Sequence, residues 1–267
     1  MATYNAPYDR TTWRNMVLSQ SQMQENAVYI YDYMATKYNW TLNAVAGMLG
    51  NLESESTMNP ARPQNNAVKN QWWDSAPGRT GTAPHPTTTW YGFGLFQVTP
   101  WYAGQGTKRY NPHTLGNWAI SKGYTANYAD GGTICGMDVQ LDWLIEGAAV
   151  HFNNPDDNNR DQAKWYQDSR ADFNAPTPTD YGRSTQSPES CARTFYWNLE
   201  RSGALDPGSR PTLARKWYNY LKEHAPTPPK LYHYCKGGEF VLNYFIIGCV
   251  TGVITFFLAL VLVSNSD

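Results

Sequence analysis

The sequence contains little cysteine and few histidines. Only four cysteines occur in 267 residues, and none of them forms a CxxC pair. This spacing argues against a disulfide framework and against a zinc site, and it leaves a single bridge between Cys135 and Cys191 as an open alternative. The five histidines show neither HxH nor HExxH spacing. The sequence therefore predicts no metal site and no bound cofactor.

Charge is also scarce. Charged residues make up 16% of the chain and the formal net charge is −1, so the basic surface that nucleic-acid binding requires is missing. Aromatic residues are frequent by contrast, with 11 Trp and 19 Tyr. Aromatic faces carry partial negative charge and stack against the C–H faces of sugar rings, so the composition favours a carbohydrate ligand. For any single aromatic residue, a place in the hydrophobic core is the alternative.

Two terminal features set the domain organisation. The first thirteen residues, MATYNAPYDRTTW, have no basic segment followed by an apolar one, so they are not expected to act as a secretory signal. Near the other end, residues 240–263 form 24 nearly uninterrupted apolar positions. As a helix they would extend about 36 Å, more than the hydrocarbon core of a bilayer at about 30 Å. We expect a membrane-spanning or membrane-active helix, with burial inside a protein assembly as the alternative.

The segment before this apolar run is rich in proline and glycine. APTPPK at 225–230 and the pair Gly237–Gly238 are typical of a linker. The sequence thus predicts a globular domain over 1–224, a linker over 225–238 and a C-terminal hydrophobic helix within 239–267. Lys230, His233 and Lys236 precede the apolar run. If a cell inserted this helix, these charges would leave the domain in the cytoplasm.

Apolar periodicity predicts five helices in the globular part. Thr41 as an N-cap and Pro211 in the first turn are the signals for two helix starts, and either Ser187 or Glu189 could begin a third helix. TWYGFGLFQVTPW, at 89–101, predicts a short hairpin. The fold class is therefore α+β, mainly helical, with a small β-hairpin lobe. The predicted helices cover 21–38, 42–56, 137–152, 187–203 and 210–224.

Two glutamates near the end of the second helix could carry acid chemistry. Residues two apart on a helix point about 200° from each other, so Glu53 and Glu55 cannot face the same cleft. Glu55 lies where the helix ends and an aromatic-rich loop begins, whereas Glu53 fits a solvated or structural role. Cleavage of a glycosidic bond needs a carboxylic acid that stays protonated near neutral pH, which scarcity of water favours. Spacing alone leaves open that Glu55 is an ordinary surface residue.

Two segments carry a resemblance to a known family. AGMLGNLESESTMNP, at 46–60, resembles the catalytic helix of phage tail lysozymes and related lytic transglycosylases, in which Gly-Asn precedes Glu-Ser and Asn-Pro follows. YGFGLFQVTPW, at 91–101, resembles the Gly-Leu-x-Gln segment of the same enzymes and the Thr-Pro that follows it in tail-tip lysins of short-tailed phages. The resemblance covers about residues 15–222, and the long 59–89 insert departs from it. The residues matching in the first segment are Gly50, Asn51, Glu55, Ser56, Asn59 and Pro60.

The resemblance implies a lysozyme-like domain that cuts peptidoglycan glycan strands. Glu55 would be the general acid, and Gln97 would bind a sugar N-acetyl group or a water molecule opposite it. A second carboxylate is less well indicated: Asp130 ranks first, with Asp74, Asp138 and Asp142 as alternatives. Enzymes of this fold also work with a single glutamate, so hydrolysis and transglycosylation both remain open. The residues expected to bind substrate are Trp73, Tyr91, Gly94, Phe96 and Trp101.

The resemblance also implies a place of action. A tail-borne enzyme is delivered from outside the cell, which agrees with the missing signal and with the charges that flank the apolar run. The expected partners are peptidoglycan glycan strands, other phage tail proteins and, through 240–263, host membrane lipid. The alternative is a catalytically inactive tail plug or membrane conduit with a lysozyme-like fold.

Overall fold

The computed structural model describes residues 17–62, 92–98, 114–124, 133–148, 165–200 and 206–225. All of them belong to the first of two compact units, Met1–Pro228; the second, Pro229–Asp267, lies outside the described residues, and the predicted domain limits stay predictions. A 3₁₀ turn at Thr133–Cys135 and a π-helical turn at Tyr196–Glu200 accompany the helices of this part of the chain. Those helices are α1 (Gln20–Tyr38), α2 (Leu42–Ser56), α3 (Leu115–Ser121), α4 (Met137–Glu146), α5 (Pro178–Gly182), α6 (Pro188–Phe195) and α7 (Arg210–His224).

Helix α2 lies at the centre of the domain. Every residue from Ala44 to Leu52 is buried, and the helix packs mainly against α6 and α7, with α1 beside it. Two glycines make these contacts close. A Cβ placed on Gly47 would lie 2.5 Å from the Cβ of Cys191 on α6, and one placed on Gly50 would lie 2.5 Å from the carbonyl oxygen of Arg210 on α7. The backbone of α2 is thus in direct contact with two neighbouring helices.

Most of the predicted helix starts are confirmed. The hydroxyl groups of Thr41 and Ser187 accept hydrogen bonds from Ala44 N and Ser190 N, which caps α2 and α6. α7 carries Pro211 in its first turn, as predicted. α1 begins one residue earlier than expected, at Gln20, because Ser19 and Gln22 form a capping box.

Other helices differ from the prediction. α4 ends at Glu146 instead of Phe152, and residues 149–152 lie outside the described part. The helix predicted over 187–203 changes at Tyr196 into the π-helical turn. α3 and α5 have seven and five residues, and helices this short leave too little periodicity to stand out from loop sequence.

The hairpin predicted over 89–101 is not supported in its described part. Residues 92–98 form a tight turn that is closed by one antiparallel bridge between Phe93 and Val98. Gly94 and Gln97 have φ angles of 76° and 46°, so the chain reverses through left-handed conformations instead of extending along a ladder. The described ranges contain this bridge and no named strand, and they show the helical part of the predicted α+β fold alone.

The apolar segment 240–263 lies outside the described residues. In the ranges that the structure covers, no helix has both the length and the apolar character needed to cross a bilayer. Cys135 and Cys191 are both buried and no disulfide joins them, so the bridge left open by the sequence is not formed. Burial raises the pKa of the Cys191 thiol to about 12.

A polar cluster joins α1 to α4. The carboxylate of Asp142 accepts hydrogen bonds from the hydroxyl groups of Tyr33 and Tyr38, both at 2.6 Å, and from Lys37 Nζ at 2.8 Å. Partial burial opposes the charge and would raise the pKa of Asp142, but these hydrogen bonds outweigh burial and lower it. Asp142 therefore acts as a structural acceptor between two helices.

We expect Asp142→Asn to lower the free energy of unfolding by about 1 kcal/mol at neutral pH, because three donors lose a charged acceptor. Since the pKa of Asp142 is lowered on folding, its contribution is present above the unfolded value of about 4 and is lost as the pH falls through the folded value. The difference in melting temperature between wild type and variant should be clear at pH 7 and should shrink as the pH falls below about 4. Glu146→Gln on the same helix is the control, because its pair with Lys122 is exposed. Equal melting of wild type and Asp142→Asn at pH 7 would contradict the prediction.

Candidate active site

Glu55 lies in the last turn of α2, where the backbone leaves the helix through an unusual turn. Thr57 and Met58 have φ angles of 53° and 59°, a left-handed conformation that residues other than glycine seldom adopt. The turn is held because Met58 N donates to Leu52 O at 3.2 Å and Asn26 Nδ2 donates to Met58 O at 2.9 Å. This strained turn fixes the end of α2, and with it the position of Glu55.

The carboxylate of Glu55 is paired with Arg210, the first residue of α7. Arg210 Nη2 donates to Glu55 Oε1, and the two side chains are 13% and 21% exposed, so the pair remains accessible to solvent. Arg210 is itself held, because Nη1 donates to Pro207 O at 3.1 Å and the guanidinium lies 4.8 Å from the ring centroid of Tyr196. Tyr196 begins the π-helical turn, so this irregular segment supports the arginine.

Glu53 has a different environment. Its carboxylate accepts hydrogen bonds from Lys216 Nζ at 2.8 Å and from Trp217 Nε1 at 2.7 Å. Both donors are on α7, and Trp217 is fully buried. The prediction that Glu53 is a structural partner is confirmed, and the two glutamates bind different residues of the same neighbouring helix.

The other residues of the first motif have structural roles. Asn51, Ser56 and Asn59 are fully buried. Asn51 Nδ2 donates to Gly47 O and to Ala192 O of α6, at 2.9 and 3.1 Å. Ser56 and Asn59 bond to nearby backbone, and Gly50 allows the contact with α7. Among these matched polar residues, Glu55 is the one whose side chain reaches a partly solvated position.

The turn at 92–98 contacts the loop that follows Glu55. Gln97 Nε2 donates to Arg62 O at 2.9 Å and to Gly94 O at 2.8 Å. The amide oxygen of Gln97 makes no hydrogen bond within the described residues, and the side chain is half-buried. Gln97 thus closes the turn with one end of its amide group, and its other end could accept a hydrogen bond. Whether it binds a sugar stays a prediction.

Gln140 is a buried residue that the sequence analysis did not single out. Its Oε1 accepts from Leu95 N at 2.8 Å, and its Nε2 donates to Pro60 O at 2.7 Å, so α4 holds both motif segments together. A Cβ on Gly94 would lie 2.2 Å from Gln140 Oε1. The glycine is therefore explained by internal packing, without a ligand. The signal in the sequence was the position of Gln140, a polar residue, among the apolar residues of the predicted helix 137–152.

Some of the remaining predicted site residues are described by the structure, and the others lie outside its described part. Phe96 is 1% exposed and packs against Trp143 and Phe195, with ring centroids 5.9 and 6.2 Å apart, so its ring fills the core in this structure. Asp142 is bound by α1 as described above, and Asp138 is exposed at the start of α4. The predicted residues that lie outside the described part of the chain are Trp73, Asp74, Tyr91, Trp101 and Asp130.

The side chains described here do not assemble a metal centre: within the described ranges, no group of three or more His, Cys, Asp or Glu residues could hold an ion. The site is instead a carboxylate and a guanidinium where the end of α2 meets the start of α7. Sequence reasoning missed Arg210, which is 155 positions from Glu55 along the chain. No local pattern connects residues at that separation.

Comparison with known proteins identifies the family of this chain. The sequence is similar to Morphogenesis protein 1 of Bacillus phage B103, with 29% identity over 208 residues, which is 78% of this chain and 42% of that protein. The chain thus spans less than half the length of this relative. The family described as phage tail lysozyme matches residues 25–221. This range includes helices α2 to α6, most of α1, and α7 except for its last three residues. The chain belongs to the phage tail lysozyme family.

Proposed function

We propose that this protein is a virion tail component that cleaves the glycan strands of peptidoglycan, with Glu55 as the general acid. The observation that carries the proposal is the contrast within the matched motif: its other polar residues are buried, whereas the side chain of Glu55 is 21% exposed and can reach a ligand. A carboxyl group at a fixed helix end, partly shielded from water, suits proton donation to a leaving glycosidic oxygen. The family membership supports the same reaction.

The pair with Arg210 bears on how the reaction would begin. Arg210 Nη2 occupies one oxygen of the Glu55 carboxylate, so the other oxygen must meet the substrate or the guanidinium must move aside. The unused amide oxygen of Gln97 would accept a hydrogen bond from an N-acetyl group. Asp130 remains the first candidate for a second carboxylate. Hydrolysis and transglycosylation therefore both remain within the proposal.

The experiment is digestion of purified peptidoglycan by the full chain, with new glycan ends followed by mass spectrometry. A glycosidase releases soluble fragments whose ends identify the reaction. Reducing ends indicate hydrolysis, and 1,6-anhydro ends indicate transglycosylation. A folded protein that releases no fragments from walls of several chemotypes would contradict the proposal.

We further propose that the apolar segment 240–263 engages the host membrane after the wall has been opened. The supporting observation is the length of this segment, which has 24 nearly uninterrupted apolar positions. As a helix it would extend about 36 Å, more than the thickness of a hydrocarbon core at about 30 Å. Co-flotation of the full chain with lipid vesicles tests this step. Failure to float with vesicles of either neutral or anionic composition would contradict it.

A second candidate function is a structural tail protein without activity. The relative in phage B103 is named Morphogenesis protein 1, which favours a role in morphogenesis. Both candidates require the protein in the virion, so detection in purified particles tests them together. The wall digestion above distinguishes one from the other.

A further inference from the structure

Arg62 lies beside the candidate acid and is anchored by its backbone. Its N–H group donates to Asn59 O at 3.2 Å, and its carbonyl oxygen accepts from Gly94 N at 2.8 Å and from Gln97 Nε2 at 2.9 Å. The loop after Glu55 and the 92–98 turn therefore meet at this residue. These hydrogen bonds fix the backbone of Arg62, and its side chain is half-buried.

The guanidinium of Arg62 is half-buried and has no protein partner among the described residues. Burial lowers the pKa of Arg62, and the carboxylate of Glu55 acts in the opposite direction, so the two side chains are within electrostatic reach. Glu55 nevertheless forms its ion pair with Arg210. Within the described residues, the N–H groups of the Arg62 side chain form no hydrogen bond and no ion pair. The Arg62 nitrogens are not among the buried atoms that lack a partner, so they remain open to solvent and are available to a ligand.

The charges around Glu55 leave an excess of one cation. Glu55 is paired with the guanidinium of Arg210, and its charge also acts on the guanidinium of Arg62, which is not paired with it. The nearby carboxylate of Glu53 is already occupied by Lys216 and Trp217. An anionic group on the ligand would restore the balance. A guanidinium presents its donors in a planar fork that matches the two oxygens of a carboxylate.

We propose that Arg62 binds a carboxylate of the short peptides attached to the glycan strand and so selects peptide-bearing peptidoglycan over uncharged glycans. The inference rests on the proposed function, because it assigns the substrate group recognised beside Glu55. Arg62 is a specificity-determining residue in this scheme. Its contact with the peptide is made before and during bond cleavage alike, so its loss raises KM and leaves kcat nearly unchanged.

The test compares native walls with walls whose carboxyl groups have been converted to amides by carbodiimide and ammonia. The full chain is assayed as wild type, Arg62→Gln and Arg62→Lys. Arg215→Gln is the matched control, because it removes the same charge from an exposed surface pair with Glu189. KM and kcat are measured separately for each protein on each substrate.

For wild type we expect KM to be about tenfold higher on amidated walls than on native walls, the usual effect of losing one charge-assisted contact. Arg62→Gln should show the higher KM on both substrates, with less than about a twofold difference between them, whereas Arg62→Lys should recover part of the preference because it keeps the charge without the fork. Arg215→Gln should behave like wild type.

Three outcomes overturn the inference alone. One is a wild type that cleaves both walls with the same KM, and another is an Arg62→Gln variant that keeps the full preference for native walls. A fall in kcat at unchanged KM would also overturn it, because that would indicate a role in the chemical step. If wild type cleaves neither substrate, the proposed function itself fails and the inference fails with it.

Discussion

Glu55→Gln is expected to reduce peptidoglycan cleavage by about 10²–10⁴-fold, the range that loss of a general acid produces. The substitution keeps the size of the side chain and an oxygen that can accept from Arg210. It removes the proton that a leaving glycosidic oxygen would receive. The fall should therefore appear in kcat, and the variant should still bind walls. Release of glycan fragments and co-sedimentation with insoluble walls measure the two effects separately.

Glu53→Gln is the matched control, because it changes the same residue type two positions away on the same helix. Its carboxylate joins Lys216 and Trp217 instead of reaching the Glu55 site. We expect this variant to melt at a lower temperature and to retain cleavage by its folded fraction. Equal loss of cleavage in both variants, or full cleavage by Glu55→Gln, would remove Glu55 from the role of acid.

The sequence was informative where the cause of structure is local. Thr41 and Ser187 end up as N-caps because a hydroxyl group next to the first turn satisfies an otherwise unbonded N–H group. Helix geometry also accounts for the different partners of Glu53 and Glu55, although both sets of partners lie on α7. Such inferences need only a few neighbouring residues. They were sufficient to place Glu55 at the end of α2.

The parts that the sequence did not predict depend on contacts between distant residues. Arg210 reaches Glu55 across 155 positions, and nothing in its own neighbourhood distinguishes it from Arg215, the other arginine of α7. The 92–98 segment has the β-forming residues of a hairpin, yet Gln140 and Arg62 hold it as a tight turn. Burial of Phe96 against Trp143 is likewise a tertiary effect. In each case packing outweighed local preference.

Replacing either glycine of α2 by alanine is expected to have the second large effect, a decrease in the free energy of unfolding. Helix propensity predicts an increase. Alanine is more favourable than glycine inside a helix by about 1 kcal/mol, so propensity alone predicts that Gly50→Ala stabilises the protein. The structure predicts the reverse. A Cβ at position 50 would lie 2.5 Å from Arg210 O and 2.7 Å from Ala214 N. These are backbone atoms, so α7 as a whole would have to move.

We expect Gly50→Ala to lower the free energy of unfolding by about 1–3 kcal/mol, as overpacked cores do. Denaturant unfolding measures this change. Ser54→Ala is the control, because Ser54 is exposed on the same helix and surface substitutions change stability by less than about 0.5 kcal/mol. A Gly50→Ala protein that is as stable as wild type would show that α2 and α7 tolerate a wider separation.

Gly47→Ala separates the stability effect from an effect on the site. Its Cβ would meet Cys191 and the backbone of Ala192 on α6, at 2.5 and 2.8 Å, so this variant should also be destabilised. However, α7 begins with Arg210, the partner of Glu55, whereas α6 reaches this pair only through Tyr196, which follows α6 and packs against Arg210. We therefore expect Gly50→Ala to change kcat in the folded protein by a larger factor than Gly47→Ala does, because moving α7 displaces Arg210 from Glu55 directly. Equal changes in kcat would mean that the position of Arg210 does not control the reactivity of Glu55.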